Sequence, residues 1–312
     1  MSSRQYLLLS HLRIHNANAM SSTFTVGVPA MTAWLGGMHA LERTIRHIPG
    51  YERVTFHKLA VSFHHTELQV YHKPFENNHY ISCTGNPLVK SKKHAGFEKA
   101  PFIEEPRIHL DVSLLMEMSK TDVNQIEKLS EDVRHCLQRL KFAGGDIEQV
   151  PKVQVVYAEE HSVESAKRIL RQLMPGYVLI ERRDLLQQEM ENGADSLDGL
   201  LHYLEINEEP IKNEDGEVLN WKYTKADSGW LVPVAVGFHG ISPSGKAVKN
   251  QRDPSVPHCF TESVVTLGEF RLPVRFDDID EIMWNYHYDE GSQYYLCENR
   301  IHEEEKENGQ NE

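Results

Sequence analysis

The residues best suited to acid–base chemistry in this chain are its 18 histidines. His64-His65-Thr66 forms one H-x-T element, of the kind RNA phosphodiesterases use in pairs. No second H-x-S or H-x-T occurs, and half of a two-histidine site cannot supply both the general acid and the general base. Most of the histidines therefore read as strand-surface or partly buried residues. Cys83, Cys136, Cys259 and Cys297 are scattered with no CxxC pair, and joining Cys83 to His64 and His65 gives no recurring ligand spacing. Gly240 to Lys246 reads GISPSGK but continues with Ala247, where a Walker loop has Ser or Thr, so nucleotide hydrolysis is not expected. The sequence assigns no catalytic residue, no metal ligand and no cofactor.

Binding chemistry is better represented. Asn16, Asn18, Ser21 and Ser22 end an apolar run and precede a helix that begins near Pro29. Their amides and hydroxyls, with the free N–H groups of that helix start, suit a phosphate or a base edge. The plainer reading is a loop capped by its own Asx and Ser turns. Lys90, Lys92 and Lys93, with His94 and Lys99, follow a Gly85-Asn86-Pro87 entry and could neutralise phosphates; the plainer reading is a solvated loop. A third set joins Gly237, Gly240 and Gly245 to Lys246, Lys249, Asn250 and Arg252. Glycines there allow close backbone approach while the cations contact phosphate.

The net charge of −13 is unevenly spread. Gln188 to Asn220 holds ten acids and one base, and Glu298 to Glu312 six acids and two bases, which accounts for the whole excess. Arg43 to His109 carries ten Lys/Arg against six Asp/Glu. A polyanion responds to fields within roughly 10 Å at physiological salt, so a basic face is compatible with an acidic total. With 312 residues, 40% hydrophobic, the chain affords a sizeable core. It has no membrane-length apolar run and no signal-peptide pattern, and its scattered thiols suit a reducing cytoplasm.

The elements that must position these groups alternate. Tyr6–Ile14 reads as a buried strand, and the Pro29 helix carries Met31, Trp34, Leu35, Met38, Leu41 and Ile45 at helical spacing. Gly36-Gly37 within it predicts close packing against a neighbouring backbone. Val54–Tyr71 is strand with a phase change near His64-His65, which predicts a bulge or turn. Lys73–Pro106 loses periodicity and reads as a long basic loop or extended hairpin. Arg107–Met116 is strand, Thr121–Phe142 a helix capped by Thr121 or Asp122, and Lys152–Tyr157 strand. His161–Leu204 reads as helical, and Glu205–Asn220 as an acidic linker. Trp230–Val236 and Thr261–Phe270 are strands, Asp277–Tyr288 is helix or strand, and the glutamate-rich tail is expected to be disordered. The order predicts an α+β, ferredoxin-like unit.

Several segments, in order, carry a resemblance to a known family. They are HLRIHNANAMSS, GVPAMTAWLGGMHALER, TGNPLVKS, PRIHLDVSLL, KFAGGDI, LMPGYVLIERRDLLQ, GWLVPVAVGFHGISP, KNQRD, FTESVVTLGEF and IMWNYH, spanning residues 7 to 287. The chain resembles the second-subunit family of the Csy complex, the type I-F CRISPR surveillance assembly, in the Cas-five class of the RAMP superfamily. One departure is Gln251 in KNQRD, where alanine is expected between Asn250 and Arg252. The resemblance implies a non-catalytic subunit that caps the 5′ handle of a CRISPR RNA. Its expected partners are the large PAM-sensing subunit, an adjacent backbone subunit and the target DNA held by the assembled complex. It also implies a modified RRM-like fold with an extended hairpin at about 74–102. The expected organisation is a core over 1–160, a partner-facing helical insertion and acidic linker over 161–220, a strand-rich part over 221–297 completing the core, and a tail over 298–312. RNA contact is then expected from Asn16, Asn18, Ser21, Ser22, Asn86, Lys90, Lys92, Lys93, Lys246, Lys249, Asn250 and Arg252. The alternative is a repeat-RNA endonuclease or phosphoesterase of the same class.

Overall fold

The computed structural model describes residues 3–299 except 77, 101, 122–125, 151, 214, 228, 244, 246, 247, 250 and 252. In chain order the first elements are β1 (Ser3–Asn18), α1 (Met31–Arg46), β2 (Phe56–Leu68), β3 (Val70–His72), β4 (His79–Ile81), β5 (Val89–Lys90) and β6 (Phe97–Glu98). β7 (Arg107–Met118), α2 (Ile126–Leu137), β8 (Lys141–Phe142), β9 (Gly145–Gln149), β10 (Lys152–Glu159) and α3 (Val163–Leu170) follow. Then come β11 (Tyr177–Glu181), α4 (Arg183–Glu191), α5 (Ser196–Leu204), β12 (Asn207–Lys212) and β13 (Val218–Thr224). The chain closes with β14 (Leu231–Gly240), β15 (Thr261–Arg271), β16 (Asn285–Asp289) and β17 (Tyr294–Glu298).

β1 is the axis of the fold. Its apolar run is buried on both faces, so both of its edges are paired: β7 runs along one edge, and β10 then β9 share the other end to end. The strands β10-β1-β7-β2 form an antiparallel sheet, and the path continues through β11, β15, β14 and β17 to β16. It then curls back on β2. Leu59 N–H donates to Trp284 O at 2.9 Å and Trp284 N–H to Leu59 O at 2.8 Å, just ahead of β16. Among the described residues no helix is long and apolar enough to cross a membrane.

Alternation in the strands separates two core layers, and a third, smaller cluster packs Leu186 of α4 and Leu200 of α5 with Leu231 and Leu267. Leu7, Leu9, Val61 and Leu114 face Trp34 and Met38 of α1 and Val133 of α2, and Val234 and Val236 of β14 join the same cluster. Tyr6, Leu8, Ala60 and Leu115 point the other way, onto Ile169 and Leu170 of α3 and onto Phe276 and Ile282. Burying each such leucine or valine contributes about 1.5–3 kcal/mol relative to leaving it exposed. The second layer covers the Ser3–Ser10 half of the sheet. Beyond it the outward side chains are polar.

The structure departs from expectation in four places. The second helix is shorter than Thr121–Phe142: Phe142 lies in β8, and Asp122 falls outside the described residues. Gly37 meets the Phe142 ring rather than a backbone: a Cβ there would lie 2.5 Å from that side chain. The run read as helical from His161 to Leu204 contains β11, a central strand between β2 and β15. YVLIE is too short for a helix between Pro175-Gly176 and Arg182, and three of its residues are buried. The acidic stretch read as a linker folds as the hairpin β12–β13, whose strand residues are all exposed.

Candidate nucleic-acid interface

The four Asn/Ser residues lie where β1 runs out of the sheet. Asn16 sits at φ +55°, its N–H donates to His109 Nδ1 at 3.2 Å, and its Oδ1 accepts from Gln69 Nε2 at 2.6 Å. Asn18 Oδ1 accepts from Met20 N–H at 2.8 Å, an Asx turn, and its own N–H donates to Ala143 O at 2.8 Å. Ser21 and Ser22 both bond to Thr25 Oγ1, at 2.9 and 2.7 Å, and Ser22 is buried. A Met20–Val26 bridge closes this loop, and Gly27 at φ +145° turns the chain toward Pro29 and α1. The plainer expectation therefore describes the oxygens, which are engaged within the loop and its neighbours.

The basic hairpin leaves the same end of the sheet. It departs after Leu68 and returns at Arg107, as two small sheets, β3–β4 and β5–β6. Its root is pinned by Thr84 N–H to Glu105 O at 3.0 Å and Ser82 N–H to Gln69 O at 2.9 Å. Ala19 N–H donates to Pro106 O at 3.0 Å, which ties that root to the Asn/Ser loop. Lys90, Lys92 and Lys93 are exposed on it, while Asn86 is half-buried with its Nδ2 unpartnered. Of the glycine-and-base loop, Lys249 is exposed, and Lys246, Asn250 and Arg252 lie outside the described residues. Phe24 links the two regions, lining a shallow pocket with His239 and Glu262 near the end of β14–β15 from which that loop springs.

Sequence reasoning by motif missed a polar groove on the uncovered part of the sheet. It is lined by Arg13, His15, His65, His109, Asp111 and Glu148. The signal was present as alternation: HLRIH in β1 and RIHLD in β7 place polar residues at every second position. His15 and His109 stack with centroids 4.4 Å apart. The expected bulge is present: the β2–β7 register shifts between Phe63 and His65, and the β1–β7 register between Leu9 and Leu12. Both bulges bring a histidine toward β7. His11, at φ +54°, holds Nδ1 3.1 Å from Asp111 Oδ1; its ring lies 4.2 Å from that of His64, whose Nε2 is 2.7 Å from Ser113 Oγ.

Burial, then the proximity of His11, pushes the His64 pKa below 6.5, with Asp111 opposing. His64 is thus neutral in the fold at neutral pH. As pH falls through 6.5 the unfolded chain gains a proton that the folded chain refuses, so stability declines as pH falls. The decline from this one group is at most about 1.4 kcal/mol per pH unit. A His64→Gln variant should lose stability less steeply than the parent as pH falls below 6.5, read by urea titration at each pH. Parallel curves would remove His64 from the account.

A cavity of about 360 Å³ lies on the other side of His65, lined by Val28, Pro29, Phe63, Tyr177, Trp230 and Phe270 among others. His65 and Leu110 line both the groove and this cavity. Loop, basic arm, histidine groove and aromatic cavity therefore surround one end of the β1–β7–β2 sheet.

The pattern of the family described as CRISPR-associated protein (Cas_Csy2) matches residues 7–297. The chain belongs to the Csy2 family. CRISPR-associated protein Csy2 of Pseudomonas aeruginosa (strain UCBPP-PA14) is 30% identical over 307 residues, covering 90% of this chain and 91% of that protein. The Csy2 match includes the described sheet from Leu7 to Cys297, and both the loop and the groove lie within it.

Proposed function

We propose that the protein is a non-catalytic subunit of a type I-F CRISPR surveillance complex that binds and caps the 5′ handle of the CRISPR RNA. The observation that carries this reading is the continuity of four binding surfaces at one end of the sheet, in a chain of the Csy2 family. We read the order β10-β1-β7-β2, with α1 and α2 on one face, as a modified ferredoxin-like unit with an extended basic arm. Single-stranded RNA is recognised by splayed bases, so a rim of neutral donors and imidazoles reads sequence while lysines on an arm supply affinity. The large PAM-sensing subunit and a backbone subunit complete the assembly, which holds the target DNA.

The test is binding of handle-bearing RNA against scrambled RNA at physiological salt, with the full chain and its large partner. A clear preference for the handle is expected, and equal affinity overturns the reading. Asn18→Asp keeps the acceptor that caps Met20 and removes the amide donor. It should weaken handle binding roughly tenfold, the value of about 1.4 kcal/mol, with less effect on scrambled RNA. Replacing Lys90, Lys92 and Lys93 together by alanine should flatten the slope of log affinity against log salt by about 2, at about 0.7 per phosphate contact. An unchanged slope would detach the arm from the RNA.

One observation favours the second reading, a repeat-RNA endonuclease. His11, His64 and Asp111 bring two imidazoles and a carboxylate within 4.8 Å of one another. Against it, His64 Nε2 is engaged by Ser113 and its Nδ1 is buried, so this imidazole offers a substrate no accessible nitrogen. Site-specific cleavage of repeat RNA under chelator, lost in His64→Ala or His65→Ala, would put the enzyme first.

A further inference from the structure

We propose that the aromatic cavity beneath the Gly27–Pro29 turn takes up one unstacked nucleobase of the bound RNA, packed against Trp230 and Tyr177. The inference rests on the RNA-binding reading and deepens it. The cavity's walls are a run of rings: Tyr177 to Trp230 at 5.3 Å between centroids, Trp230 to Phe270 at 5.0 Å, and Phe270 to Phe63 at 5.3 Å. Phe63 is buried, yet Trp230 is 55% and Tyr177 38% exposed, so the outer end of the run is accessible to a ligand. At about 360 Å³ it falls within the roughly 300–1,000 Å³ of small-ligand sites.

Its chemistry selects among ligands. Among the described residues no Asp, Glu, Lys or Arg lines it, so neither a phosphate nor an amine finds a counter-charge in that lining. A flat, uncharged heteroaromatic ring is matched by rings on its sides and by polar groups at its edge. Those groups are the His65 ring and the Thr66 hydroxyl, with the His64 ring behind them. His65 separates the cavity from the groove that holds Arg13, His15 and His109. A strand whose phosphates follow the groove can thus turn a base inward past His65, the arrangement by which proteins stack and read single-stranded RNA. An apolar side chain from a protein partner is the competing occupant.

The experiment uses the full chain with its large partner and a series of handle RNAs, each abasic at one position. Wild type should show one position whose abasic form binds about five- to hundredfold more weakly, the value of one base–aromatic stack. In Trp230→Ala the intact RNA should lose a similar factor, and the abasic form should lose little more. Trp230→Phe should retain most of the affinity and control for folding, with melting curves of both variants compared to the parent. If handle RNA binds with full preference but no position couples to Trp230, the cavity does not hold a base and the capping reading survives. If wild type fails to prefer the handle at all, the reading and this inference fall together.

Discussion

Replacing Trp284 by alanine should cost about 3–5 kcal/mol of stability, the range for deleting a fully buried aromatic. Trp284 is wholly inaccessible and belongs to the main core cluster. Its indole Nε1–H donates to Leu179 O at 2.8 Å, and its backbone exchanges two hydrogen bonds with Leu59. The residue therefore joins β11 through its side chain and β2 through its backbone, where the sheet returns on itself. The Trp284→Phe variant retains much of the volume and lacks the donor, so it should fall between parent and alanine, losing about 1–3 kcal/mol more than a pure size change. Urea titration reads both, and a loss below about 1 kcal/mol in the alanine variant would mean that the site collapses onto neighbouring groups.

Arg183→Met should be comparably damaging, at about 3–5 kcal/mol, for an electrostatic reason. Arg183 Nε donates to Glu181 Oε1 at 2.7 Å and Nη1 to Glu298 Oε1 at 2.9 Å. The Glu181 and Glu298 side chains are 3% and 8% exposed, so the substitution removes a cation shared by two buried carboxylates. Burial already raises the Glu181 pKa, and Arg183 opposes it. Without the arginine the folded-state value climbs further above that of the unfolded chain. The fold then holds the proton more tightly, so stability of the variant falls as pH rises through that range. The deficit against the parent should be smaller near pH 5 than near pH 8. Pairing the change with Glu181→Gln should recover part of the loss, the coupling expected of groups in direct contact.

The sequence made the strand periodicity and the bulge at His64-His65 readable because both are local consequences of which side chains are buried. It also made the position of the Asn/Ser loop readable, since a change from apolar to polar residues ends a buried strand. β11 was hidden because five residues between two helices give no period, and its partners β2 and β15 lie far away in the chain. The Trp284 closure and the Arg183 bridge depend on contacts across 105 and 115 positions, which no local pattern records. The aromatic cavity was hidden for the same reason: Phe63, Tyr177, Trp230 and Phe270 come from four separate stretches. The histidine groove was legible and passed over, because attention to motifs hides a simple every-other-residue pattern.

The pairing of β1 along both edges has a mechanical consequence. A pull applied along the strand loads its flanking ladders in shear, so their hydrogen bonds share the force, whereas peeling would break them singly. Tension applied along β1 is therefore spread over two ladders at once, which makes this strand the stiffest direction of the sheet.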